Sequence, residues 1–125
     1  MAIYSVYYMR SEFFCDGIKG YDWLQQHKRM PDVADLTASH VHLATIDAGA
    51  LEEVYFKMQG EDWSANVEAR ELVHRKGVRH TSMAVGDIAI DHDSNFAYLL
   101  DRAGFRFLGK VTTVDFLGSL RDPSG

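Results

Sequence analysis

The chain has 125 residues, an apolar fraction of 46% and a formal net charge of -5. That length and composition suit one globular domain with an ordinary core, and the mild acidity argues against diffuse attraction to nucleic acid or an anionic membrane surface. A lone cysteine, Cys15, excludes an internal disulfide and a thiolate zinc cage. No apolar run approaches the roughly 20 residues of a membrane span, and the opening MAIYSVYYMRSEFF has no signal-peptide pattern, so a cytoplasmic setting is expected.

Residues Ile3 to Met9 (IYSVYYM) are rich in aromatic and β-branched types and predict a central strand. Phe13, Phe14 and Cys15 follow, and Asp16-Gly17 reads as a turn. The string from Gly20 to Arg29 predicts a short helix with Tyr21, Leu24 and Lys28 on one face, stopped by Pro31. HVHLATI, from His40 to Ile46, predicts a second strand with Val41, Leu43 and Thr45 on one face and His40, His42, Ala44 and Ile46 on the other. Asp47 is placed to cap the next helix, in which Leu51, Val54, Tyr55 and Met58 form an apolar stripe that Gly60 ends. A further helix is expected from Ala65 to Lys76, capped by Ser64, buried through Ala65, Ala69, Leu72 and Val73, and closed by Gly77.

The last third predicts short strands at Thr81 to Val85, Ile88 to Asp91, Phe96 to Leu100 and Phe105 to Leu108, joined by segments with turn chemistry. A final helical turn, Val114 to Leu120, is expected to pack on the sheet, and the polar tail 121–125 to fray. The expected fold is a single α+β domain over 1–120, in the order β-α-β-α-α-β-β-β. A mixed or antiparallel sheet ends in a C-terminal β-meander, packed by two to three helices. Met83 and Val85 lie at odd positions, Ile88 and Ile90 at even ones. A bulge or bend at Gly86-Asp87, with Asp87 bonding a nearby backbone N–H, would return both pairs to one core.

Candidate chemistry is sparse. His40 and His42 leave the same face of a strand, a spacing that metal sites use, but no third ligand is fixed by spacing, and a polar edge-strand face explains them too. Ser82 lies two residues from His80, with Asp87 near, and Cys15 could meet a histidine in space. No nucleophile elbow, GxGxxG or Walker A pattern is present, so no catalytic residue and no cofactor are assigned. Arg70, Arg75, Lys76 and Arg79, with His74 and His80, form a basic cluster where a helix ends. Phe96, Tyr98, Phe105 and Phe107 on the following strands could supply stacking surfaces for RNA, or the charges could complement the helix dipole. Trp63, in an acidic loop beside Glu61 and Asp62, is either a cap over the core or an interface anchor.

The segment Met58-Gln59-Gly60-Glu61, Trp63-Ser64, Asn66, Glu68-Ala69-Arg70 and His80-Thr81-Ser82-Met83 resembles a family of small uncharacterised proteins carried by bacteria and their mobile elements. There "MQGE.WSPNGEAR" runs into "HTSMSVGDV". Ala65 and Val67 stand where that family has Pro and Gly, which removes the tighter Pro-Asn-Gly turn. HTSMAVGD is also similar to the YodL-like domain and its "HSLSVSDV" signature, and the Val-Gly-Asp step is like one in small RNA-binding barrels of the PUA/ASCH kind. The resemblance implies a small accessory protein of a mobile element, acting by binding a protein. The expectation is therefore a non-enzymatic protein-binding module that uses Trp63, Glu61, Arg70, His80, Thr81 and Ser82. An RNA- or nucleotide-binding module using Arg70, Arg75, Lys76 and Arg79 is the alternative. A metal-binding or hydrolytic enzyme is the third class.

Overall fold

The computed structural model describes residues 2–59, 69–78 and 80–111. In chain order these form β1 (Ala2–Met9), α1 (Ser11–Gly17), α2 (Tyr21–Gln26), a 3-10 turn (Leu36–Ala38), β2 (His40–Ala48), α3 (Leu51–Lys57), α4 (Ala69–Arg75), β3 (Ile88–Asp91), β4 (Phe96–Asp101) and β5 (Gly104–Lys110). The strands make one five-stranded sheet in the order β2-β1-β3-β4-β5, antiparallel throughout. The α+β class and the C-terminal meander are as the sequence predicts. Ser64, Ala65, Gly60, the expected turn 114–120 and the tail 121–125 lie outside the described residues. Among the described residues no helix is long and apolar enough to cross a membrane.

β1 is hydrogen-bonded on both sides and buried from Tyr4 to Met9. Its alternate side chains feed two cores. Tyr4, Val6 and Tyr8 face the first, with Leu43, Val54, Met58, Val73 and Met83; Tyr7 faces the second, with Leu24, Leu36, Ile88, Ile90 and Leu99. Helices α3 and α4 therefore cover one face, and α2 with the 3-10 turn covers the other. This two-sided burial explains why β3 (IAID) is apolar at consecutive positions.

Several local expectations are corrected. Residues Ser11–Gly17 form a helix in place of a loop and turn, with Phe13 packed against the second core. Asp47 lies within β2, and the residue preceding α3 is Ala50, which makes no side-chain cap. Glu53 supplies the cap instead, reaching back to accept from the Gly49 N–H at 2.6 Å. In β2 the register slips opposite Val6/Tyr7: Val6 pairs with Ala44 and Tyr7 with His42, so Leu43 is an extra residue. That bulge places His40 and His42 on the second face and sends Ala44 and Ile46 to the first.

Thr81 to Val85 is a loop, not a strand. Its parity carries no information about faces: Met83 enters the first core, whereas Ile88 and Ile90 enter the second. Gly86-Asp87 is the turn that leads into β3, and Gly86 has φ +103°, the conformation open to glycine.

Candidate functional site

The turn at Asp87 gathers three hydrogen bonds on one carboxylate. The Asp87 carboxylate is wholly buried. Its Oδ1 accepts from the Met9 N–H at 2.9 Å, and its Oδ2 accepts from the Ala84 N–H at 2.8 Å and from His80 Nε2–H at 2.7 Å. Asp87 therefore ties the end of β1, the 81–85 loop and His80 together. Burial pushes its pKa above the usual carboxylate range, while the His80 bond and the two backbone N–H groups pull it back. The His80 ring lies flat on Tyr8, with centroids 4.6 Å apart and 4° between planes, and Phe14 packs beside it at 5.2 Å. Tyr8 donates its O–H to the Thr81 carbonyl at 2.8 Å, and burial raises its phenol well above the ordinary range.

An imidazole oriented by a buried carboxylate is the base-orienting half of a hydrolytic triad. Here His80 Nδ1 is buried without a hydrogen-bond partner among the described residues, and the side chain is only 14% exposed. The ring lies between Tyr8 and Phe14. The arrangement locks a loop in place. His80 and Thr81 thus come together with Asp87, and Thr81 contributes its carbonyl. Ser82 is half-buried in the same loop.

The other predicted site residues are dispersed. His40 is wholly buried, with Nε2 2.8 Å from the Gly86 carbonyl and Nδ1 2.7 Å from Ser39 Oγ, so both nitrogens already have partners. Burial lowers its pKa to about 4. His42 lies 3.1 Å from Thr45 Oγ1 and edge-on to Tyr7, and burial lowers its pKa to about 4 as well. No group of three His, Cys, Asp or Glu side chains fit to hold a metal occurs among the described residues. Arg70, Arg75 and Lys76 are exposed on and after α4, and Lys76 Nζ donates to the His42 carbonyl at 3.1 Å, on the β2 edge. Phe107 lies on β5 at the opposite edge of the sheet, about 15–20 Å from β2 at ordinary strand spacing, whereas Phe105 packs in the first core with Leu72 and Val73 of α4. Cys15 is exposed on α1. Trp63, Glu61 and Arg79 lie outside the described residues.

Two features have little sequence signal. Ser5 and His92 meet across β1 and the β3–β4 turn, with Oγ to Nε2 at 2.8 Å, but Ser5 is wholly buried and its partner is 87 residues away in sequence. The second is an open cleft of about 380 Å³ between α3 and the β4–β5 hairpin. It is lined by Glu52, Tyr55, Phe56, Met83, Leu100 and Phe105 among others. His80, Ser82 and Cys15 do not line it. Beside the cleft the first face of β4–β5 carries a row of rings: Phe107 packs edge-on to Phe96 at 5.1 Å and to Tyr98 at 6.0 Å. Phe56 is 72% and Phe107 51% exposed. The chain matches no protein-family model, no curated protein and no solved structure.

Proposed function

We propose that this chain is a non-enzymatic module that binds another protein in the cytoplasm. From the resemblance of its 58–83 segment to small mobile-element proteins, we further propose that it serves such an element as an accessory factor. The observation that carries the binding function is the aromatic surface running from α3 to the β4–β5 hairpin. Exposed phenylalanines are costly in water when they form part of a contiguous surface, and such surfaces mark interaction sites more often than scattered apolar residues do. The cleft supplies the concavity into which a partner's side chain can anchor. The oriented His80 serves the loop, not the cleft, which favours binding over hydrolysis.

A pull-down from native lysate tests this function, comparing the wild-type chain with Phe56→Ser and Trp63→Ala. A partner captured by the wild type and lost with Phe56→Ser is the expected result. Identical recoveries from all three proteins would refute binding through this face.

A further inference from the structure

We propose that the cleft and the aromatic row beside it accept an arginine- or lysine-bearing peptide segment of the partner, with its cation over the rings and an apolar side chain in the cleft. This rests on the protein-binding function above and adds the partner's chemistry. The charges around the face carry it. Tyr4, Asp91 and Phe96 are register neighbours across β1, β3 and β4. Asp93 follows Asp91 two residues on, in the β3–β4 turn, and the Tyr4 phenol is pushed up by burial first and then by Asp91, Tyr98, Asp93 and Glu52. Glu52 also lines the cleft. Among the described residues none of the three carboxylates forms an ion pair within 4 Å. Arg106 sits over the Tyr21 ring and faces Asp22 and Asp101 at 3.4 Å, whereas Arg102 lines the cleft with Glu52 and Asp101 and donates to the Lys19 carbonyl at 3.4 Å. Lys110, opposite Phe96 at the end of β5, is the one cation in register with the row among the described residues; with Arg102 it stands against Asp91, Asp93, Glu52 and Asp101, so carboxylates outnumber cations along the face.

Aromatic rings attract cations through their quadrupole, and unpaired carboxylates beside them strengthen that field. The same carboxylates repel phosphate, which sets this face against nucleic acid despite its stacking surfaces. An apolar anchor is required as well, because the cleft is walled mainly by Tyr55, Phe56, Met83, Leu100 and Phe105.

The test begins with the full chain immobilised and panned against a random-peptide phage library. Affinities of the selected peptides are then measured by fluorescence polarisation, with a labelled oligouridine as the nucleic-acid probe. Enrichment of Lys or Arg next to an apolar or aromatic residue is expected. Phe107→Ser should weaken binding at least about tenfold, as for a central interface residue. Asp93→Asn and Glu52→Gln should weaken it several-fold, and affinity should fall as salt rises. If Phe107→Ser lowers the melting temperature, Phe56→Ser, on a more exposed ring, decides the aromatic contribution. Selected peptides that lack basic residues, or that ignore Asp93→Asn and salt while still losing affinity with Phe56→Ser, would overturn the cationic partner but leave the protein-binding function standing. No peptide that distinguishes wild type from Phe56→Ser would overturn both. Oligouridine binding lost with Phe107→Ser would make nucleic acid the occupant and overturn the proposal.

Discussion

Asp87 accepts three hydrogen bonds inside the protein, and each donor is left in a different element when the carboxylate is removed. Met9 N–H closes β1, Ala84 N–H shapes the loop, and His80 Nε2–H belongs to a mostly buried ring stacked on Tyr8. Asp87→Ala should therefore cost about 3 kcal/mol or more, since buried donors left unpaired lose their full solvation. Asp87→Asn, which keeps one acceptor oxygen, should cost less. Urea titrations of both variants check the order; equal losses would mean that packing, not hydrogen bonding, governs the site.

His40 makes stability depend on pH with a definite sign. In the unfolded chain it takes up a proton near 6.5; in the fold, burial holds its pKa down to about 4. The contribution is fully present above pH 6.5. It is lost as pH falls from 6.5 toward 4, up to about 3 kcal/mol, because unfolding binds a proton in that window. His42 shifts in the same direction, whereas the raised pKa of Asp87 opposes it, with a contribution that declines as pH rises above the ordinary carboxylate range. His40→Gln should flatten the pH dependence between 6.5 and 4.5. An unchanged slope would assign the effect to other groups. At this scale the sequence marked His80 and Asp87 as neighbours of interest but could not pair them with each other, because Met9 and Tyr8, which complete the site, arrive from 78 and 73 residues away.

Among the elements, long periodic segments were legible and short ones were not. Val54 and Met58 show the helical stripe of α3, and both are wholly buried. Helix α1 has only SEFFCDG to show, and its Asp-Gly ending imitates a turn; packing of Phe13 on His40 at 5.4 Å and on the second core holds it helical. The β2 bulge left no mark, because HVHLATI alternates well in either register. The Gly86 step was legible as a conformation and misleading as a topology: the glycine is in the positive-φ region, but in a turn between loop and strand.

The two positive-φ glycines on this path are not equal. A Cβ on Gly86 would lie 2.5 Å from Met9 Sδ and 2.8 Å from the Gly17 carbonyl oxygen, against backbone that cannot yield. Gly77, at φ +73°, ends α4 with Val78 N–H bonded back to the Val73 carbonyl at 2.9 Å, and a Cβ there would meet nothing within 4 Å. Gly77→Ala should then cost only the conformational term of about 1 kcal/mol. Gly86→Val should cost about 3 kcal/mol or more, since backbone strain is joined by overpacking. Thermal melts of the pair measure the difference; similar losses would show that Gly86 is retained for conformation alone.

For the molecule as a whole, the sheet order decides which parts open first. β1 and β3 are paired on both sides and covered on both faces, and Asp87 fastens the end of β1 to the turn that starts β3. β5 is paired on one side among the described residues, and Phe107 on it is 51% exposed. Local opening energies follow burial and pairing, so the amides of β1 that bond β2 and β3 should exchange only through global unfolding. Those of β5 should exchange through smaller openings, at rates insensitive to low denaturant. Native-state hydrogen exchange with urea dependence separates the two classes. The distinction bears on function, because a partner seated on the Phe56–Phe107 surface would slow exchange in the β4–β5 hairpin and leave β1 at the global limit. Protection that spreads instead through β2 and α4 would move the interface to the basic end of the molecule, where Lys76 meets His42.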